Sequence, residues 1–153
     1  MTHSSVPTLS PAETQDLHRI AGMMLPASEG YGMPSANDPD IFADIVRSLG
    51  RDVAAVRAAL AELTALGGSP FADLDTLVAD SVAATFHGSG TANAATLGRV
   101  IPQCYYRDDR VLHSLGIEPR PPFPRGHVVE QGDWSLLDAA RNRPQLWRDD
   151  RAV

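Results

Sequence analysis

Apolar residues return along this chain at helical rather than strand spacing, and residues that start and stop helices bracket each run. Ser10-Pro11-Ala12-Glu13 opens the first: Ser10 can cap, Pro11 suits the first helical position and Glu13 completes a capping box. Leu17, Ile20, Ala21 and Met24 follow as its stripe, and Pro26 stops it. Residues 25–32 then read as a loop. Asp38-Pro39 begins a second helix with the apolar face Ile41, Phe42, Ile45, Val46 and Leu49, ended by Gly50. Asp52 opens a third, with Val53, Val56, Leu60, Leu63 and Leu66 as its stripe and Gly67-Gly68 as its stop. Ser69-Pro70 begins a fourth, whose stripe is Phe71, Leu74, Leu77, Val78, Ser81, Val82 and Phe86, before the break at His87-Gly88-Ser89-Gly90. Thr91 or Asn93 starts a fifth through Leu97, Val100, Ile101 and Cys104, and Pro102 inside it predicts a kink. A short sixth runs from Asp108 to Leu115, closed by Gly116. No alternating strand pattern and no internal repeat is visible. The expectation is an all-α fold, a compact bundle of about five to six helices over residues 10–116 behind a flexible stretch of residues 1–9.

The pattern changes after Gly116. Residues 117–126 hold four prolines in ten positions and read as an extended, polyproline-like run. His127-Val128-Val129-Glu130 suggests a short extended piece, and Asp133 can cap one helical turn at Trp134–Asp138. Residues 117–153 therefore form a Pro/Arg/aromatic arm rather than a further helix pair. The arm is too apolar to be a plain linker: it carries Phe123, Val128, Val129, Leu136, Leu137, Leu146 and both tryptophans of the chain, Trp134 and Trp147. Such a segment buries that surface either on its own body or on another protein. Proline pre-orders it, which lowers the entropy lost on docking.

Composition narrows the function classes. The 153 residues make one domain the natural count, and 43% apolar with 21% charged residues is ordinary for a globular chain. A net charge of −6 argues against a nucleic-acid binder, which needs a basic face. All 13 basic residues are arginine, and nine of them lie from Arg99 onward. Arginine-rich mixed charge suits a surface that meets another protein, and it equally suits ordinary surface ion pairs. The single cysteine, Cys104, excludes an internal disulfide and reads as a buried thiol or, in an oxidising compartment, one half of an intermolecular bridge. No run of about 18 apolar residues occurs, so no direct membrane insertion is expected. Residues 1–21 show neither a signal-peptide pattern nor a twin-arginine pair, so the expected location is cytoplasmic, or periplasmic if a partner carries the chain.

Candidate chemistry is sparse. His87, His113 and Cys104 are the possible metal ligands, and their spacing fits no compact metal signature. Asp108-Asp109 between Arg107 and Arg110 is a charge cluster better suited to helix capping than to acid/base work, since adjacent residues at a helix start point apart. Tyr105-Tyr106 beside Arg107 has the composition of a recognition patch, with core packing of both rings as the alternative. There is no nucleophile elbow, phosphate cradle or dinucleotide fingerprint, so no catalytic residue is assigned and no FAD or NAD is expected on this chain alone.

Two stretches together resemble a known family. Arg19-Ile20-Ala21-Gly22-Met23-Met24-Leu25-Pro26-Ala27, then a Gly-rich turn, then the helix from Pro39 with Phe42 and Ile45, is similar to the N-terminal pattern of the gluconate 2-dehydrogenase subunit 3 family. Tyr105-Tyr106-Arg107-Asp108-Asp109-Arg110-Val111-Leu112-His113-Ser114-Leu115-Gly116, with Arg120-Pro121-Pro122-Phe123-Pro124-Arg125-Gly126 behind it, is similar to a second segment of that family. The resemblance implies a small, helical, non-catalytic subunit that binds and stabilises a large FAD-dependent sugar or alcohol dehydrogenase of the glucose–methanol–choline type, often with a cytochrome subunit. FAD would then sit in the partner. Many family members carry a twin-arginine leader, which residues 1–21 lack. The candidate partner-contact residues are Tyr105, Tyr106, Arg107, Arg120, Pro121, Pro122, Phe123, Pro124, Trp134 and Trp147. Two other classes stay open on residue chemistry: a free-standing metal-dependent enzyme using His87, His113 or the Asp108/Asp109 pair, and a self-associating helical scaffold.

Overall fold

The computed structural model describes residues 8–121, 123–126 and 131–144. Expectations for residues 1–7, Pro122, the piece 127–130 and residues 145–153, including Leu146 and Trp147, lie outside these. The chain divides into two units, Met1–Pro119 and Arg120–Val153.

The first unit is a helical body. Its helices are α1 (Pro11–Met24), α2 (Pro39–Ser48), α3 (Val53–Gly67), α4 (Thr76–Gly88), α5 (Ala92–Tyr105) and α6 (Asp109–Ser114). Five of the six, all but α3, begin where a short polar side chain accepts from an orphan amide. Ser10 and Glu13 form the full capping box on α1, and Asp38, Asp75, Thr91 and Asp108 cap α2, α4, α5 and α6. No strand forms among the described residues, and the class is all-α.

α3 packs against α1, α4 and α5, while α2 packs on α1 and α5. Leu17, Ile41, Ile45, Val56, Leu60, Leu63, Phe71, Leu97, Ile101 and Val111 are fully buried and carry most of the core volume. Apolar burial of this kind contributes about 1.5–3 kcal/mol per large side chain before entropy is counted. Polar seams join the helices at the edge of the core. Glu62 of α3 accepts from Thr91 Oγ1 at 3.3 Å and Asn93 Nδ2 at 2.6 Å, fixing the start of α5.

Several expected stripe positions face solvent. Leu66 ends α3 at 44% exposed, Val46 is half-exposed on α2, and Leu77, Val78 and Ser81 are exposed on α4. The cause on α4 is a phase change. Phe71–Asp73 forms a separate tight turn, Leu74 is extended, and the helix restarts at Thr76. Its buried face is therefore Ala79, Val82 and Phe86. Asp52 does not cap α3, because the chain turns through Gly50–Asp52 straight into the helix; its carboxylate instead accepts from Arg99 at 2.8 and 3.2 Å. Pro102 lies within α5, which runs through to Tyr105.

The second unit contains a tight helical turn at Trp134–Leu137, with Asp133 accepting from the Ser135 amide at 3.0 Å, followed by α7 (Asp138–Arg141). The Phe123–Pro124 peptide bond is cis.

Candidate functional site

The two stretches that carry the family resemblance meet around one loop. After α1, the chain turns at Glu29–Tyr31 and Gly32, whose φ of 62° suits a residue without a Cβ. Ser28 and Met33 bridge across the turn, and the Ala36 amide donates to the Leu25 carbonyl at 2.8 Å. The Tyr105 hydroxyl donates to the Pro34 carbonyl at 2.9 Å. The Ser114 hydroxyl donates to the Gly32 carbonyl at 3.1 Å. Tyr105 and Ser114 thus hold the loop between α1 and α2.

Within that second stretch, the two tyrosines part company. Successive residues on a helix are about 100° apart, and the pair sits at the end of α5. Tyr105 is 2% exposed and belongs to the core, whereas Tyr106 is 48% exposed. Their rings meet edge to face at 5.1 Å. Of the pair, Tyr106 is the one with surface to offer a partner.

Arg107, Asp108 and Arg110 are engaged within the body. Arg107 pairs with Asp44 of α2 and donates to Ser48. Arg110 donates to Asp38 at 2.7 and 3.2 Å and to Asp108 at 3.0 and 3.1 Å. These arginine bonds hold the Asp38 and Asp108 carboxyls below the usual carboxylate range. Asp108 is a cap and ion-pair partner, and Asp109 is exposed. The cluster staples α6 and the end of α5 onto α2. Cys104 is buried, and burial pushes its thiol up.

His87 is exposed at the end of α4, and His113 is exposed on α6 with Nδ1 2.7 Å from the Asp109 carbonyl oxygen. The structure does not gather His87, Cys104 and His113 into a metal site. Among the described residues no group of three or more His, Cys, Asp or Glu side chains could hold a metal ion. No helix among them is long and apolar enough to cross a membrane.

One arrangement was not anticipated. Asp16 and Arg19, one turn apart on α1, grip the turn before α4. The Ala72 amide donates to Asp16 at 2.6 Å. Arg19 donates to the carbonyls of Phe71 at 3.2 Å and Ala72 at 2.8 Å, and also to that of Leu74. Its guanidinium lies 5.7 Å from the centre of the Phe71 ring. Asp16 is 5% exposed, and desolvation raises its pKa. An acid and a base at i, i+3 read as a surface pair in sequence. Their common target, more than 50 residues away, has no local signal.

Two open clefts flank the C-terminal half of α1 and share Met23. One of about 660 Å³ is lined by His18, Asn37 and Phe42, with His18 edge-on to Phe42 at 4.8 Å. The other, of about 580 Å³, lies among α1, α4 and α5. In the C-terminal unit, Phe123 is 85%, Trp134 60% and Leu136 78% exposed, and Pro121 and Pro124 are exposed. Arg120 is half-buried. Pro122 and Trp147 fall outside the described residues. No family model, no curated protein and no solved structure matches this chain.

Proposed function

We propose that this chain is a non-catalytic accessory subunit that binds and stabilises a large FAD-dependent dehydrogenase acting on a sugar or an alcohol. The observation that carries this reading is the display of Phe123, Trp134 and Leu136, three large apolar side chains exposed within one short C-terminal unit. Aromatic anchors beside proline and arginine are what a protein contact needs, because they bury much area at small entropic cost. Support also comes from the body. Its charged residues staple helices together, as suits a scaffold whose work is to be bound. The choice of a flavoprotein partner rests on the resemblance of residues 19–45 and 105–126 to the small-subunit family. In this reading FAD and the reacting groups belong to the large subunit.

Co-expression with the product of the adjacent reading frame tests the proposal. The expected result is a yellow complex that holds both chains at fixed stoichiometry through gel filtration. Recovery of this chain alone, colourless and monomeric, beside a stable and active large subunit overturns it.

A further inference from the structure

The groove among α1, α4 and α5 has walls of Met23 and Met24 from α1, Phe86 from α4 and Leu97 from α5. Methionines make an adaptable apolar lining, a common feature of surfaces that take a partner helix. Apart from the His87 imidazole, the polar groups around these walls are acceptors.

Five arginines of the body are in ion pairs with acids outside α4. Arg47 and Arg107 pair with Asp44, Arg57 with Glu13, Arg99 with Asp52, and Arg110 with Asp38 and Asp108. Residues 69–88, which include α4, hold Asp73, Asp75 and Asp80 and no arginine. Among the described residues none of these three acids is in an ion pair, and Asp80 lines the groove. The C-terminal ends of α1 and α4, at Met24 and His87, also border it and present the negative poles of their helices. Gly98 and Pro102 of α5 line it too. Proline at 102 has no N–H, so the Gly98 carbonyl lacks its usual helical donor.

We infer that this groove is the docking site for a basic amphipathic helix of a partner protein. Apolar residues of that helix seat among the half-buried Met23, Met24, Ala83 and Ala94, above the buried Phe86 and Leu97. An arginine or lysine at its edge reaches the Asp80 carboxylate and the Gly98 carbonyl. The inference rests on the reading of the chain as a subunit of a larger complex, and it uses residues of the body alone. α1, α2, α3, α5 and α6 carry one arginine each and α4 none, so the body helices of a second copy do not supply this face.

The test is calorimetric titration of the full-length protein with two synthetic helix-forming peptides of about five turns. Both have a leucine face; one has arginines and the other glutamates on the opposite side. The arginine peptide binds, and the glutamate peptide binds at least about tenfold more weakly, with affinity falling as salt is raised. Asp80→Arg, at an exposed site, lowers the arginine-peptide affinity about tenfold while circular dichroism is unchanged. Amide exchange slows in α1, α4 and α5. The double variant Phe123→Ala/Trp134→Ala keeps peptide binding. Equal affinity for the two peptides, indifference to Asp80→Arg, protection that maps to residues 131–144, or a dimer of this chain that shields the groove each overturns the inference. If the arginine peptide binds as expected but no complex with the large flavoprotein forms, the groove stands and the assignment of its partner falls.

Discussion

Replacing Arg19 with methionine removes the clamp on the turn before α4 while keeping the apolar stem of the side chain. One guanidinium nitrogen serves the carbonyls of Phe71, Ala72 and Leu74. A nitrogen with two protons supports about two good bonds, and at a half-buried site, where solvent screens the charge, each contributes about 1 kcal/mol. The contact with the Phe71 ring adds about 0.5–1 kcal/mol. The expected loss is about 3 kcal/mol, read as a lower urea midpoint at unchanged slope and a fall in Tm of about 10 °C. Arg19→Lys should recover less than half, because a single ammonium on a flexible stem cannot reproduce the planar fork. Hydrogen exchange at the Ala72 amide, which donates to Asp16, should accelerate in both variants. Arg57→Met is the control. It removes an exposed pair with Glu13 and should cost at most about 1 kcal/mol. If Arg19→Met costs no more than Arg57→Met, or leaves exchange at Ala72 unchanged, the clamp is not what holds the turn.

Other outcomes follow from single contacts. A Cβ on Gly22 would lie 2.5 Å from Asn37 Nδ2 and 2.7 Å from its Cγ, so Gly22→Ala should destabilise in the native background. In an Asn37→Ser background it should instead stabilise by about 0.5–1 kcal/mol, the usual helical gain of alanine over glycine, as chemical denaturation will show. Asp38 and Asp108, held low by Arg110, and Glu13, held low by the Ser10 amide, add stability above the unfolded carboxylate range and lose it as pH falls through their lowered values. Asp16, raised by desolvation, works in the opposite sense and favours folding as pH falls. Asp52, held low by Arg99, joins the first set, so with four groups of the body against one the urea midpoint should drop as pH falls below about 4, and Asp38→Asn should flatten that drop. Cys104 is 3% exposed with its thiolate disfavoured, so iodoacetamide should label it only on unfolding, as mass spectrometry of native and urea-treated samples will show.

The helix count and most helix starts are legible because capping is local. Ser10, Asp38, Thr91 and Asp108 each act within three residues of themselves, so spacing alone reveals them. Asp52 misleads because its carboxylate has a better partner in Arg99, 47 residues on. On α4 the expected stripe is right at Val82 and Phe86 and wrong at Leu77, Val78 and Ser81, because one period does not run across the extended residue Leu74, where the helical phase is lost. The same limit hides the clamp. Asp16 and Arg19 look like a surface pair until the fold brings Phe71–Asp73 against α1. The division of labour between Tyr105 and Tyr106 depends on where α5 ends relative to Pro34, which no local pattern encodes.

In the proposed function this chain works by being bound, with its C-terminal aromatics as anchors. The most direct measurement is the mass and flavin absorbance of the complex formed with the adjacent reading frame's product, compared between the native chain and the Phe123→Ala/Trp134→Ala variant. The account predicts a flavin-bearing heteromer for the native chain, at least about tenfold weaker assembly for the variant, and the same helical circular dichroism for both. A variant that assembles as well as the native chain, or a native chain that never enters a flavin-bearing complex, contradicts it.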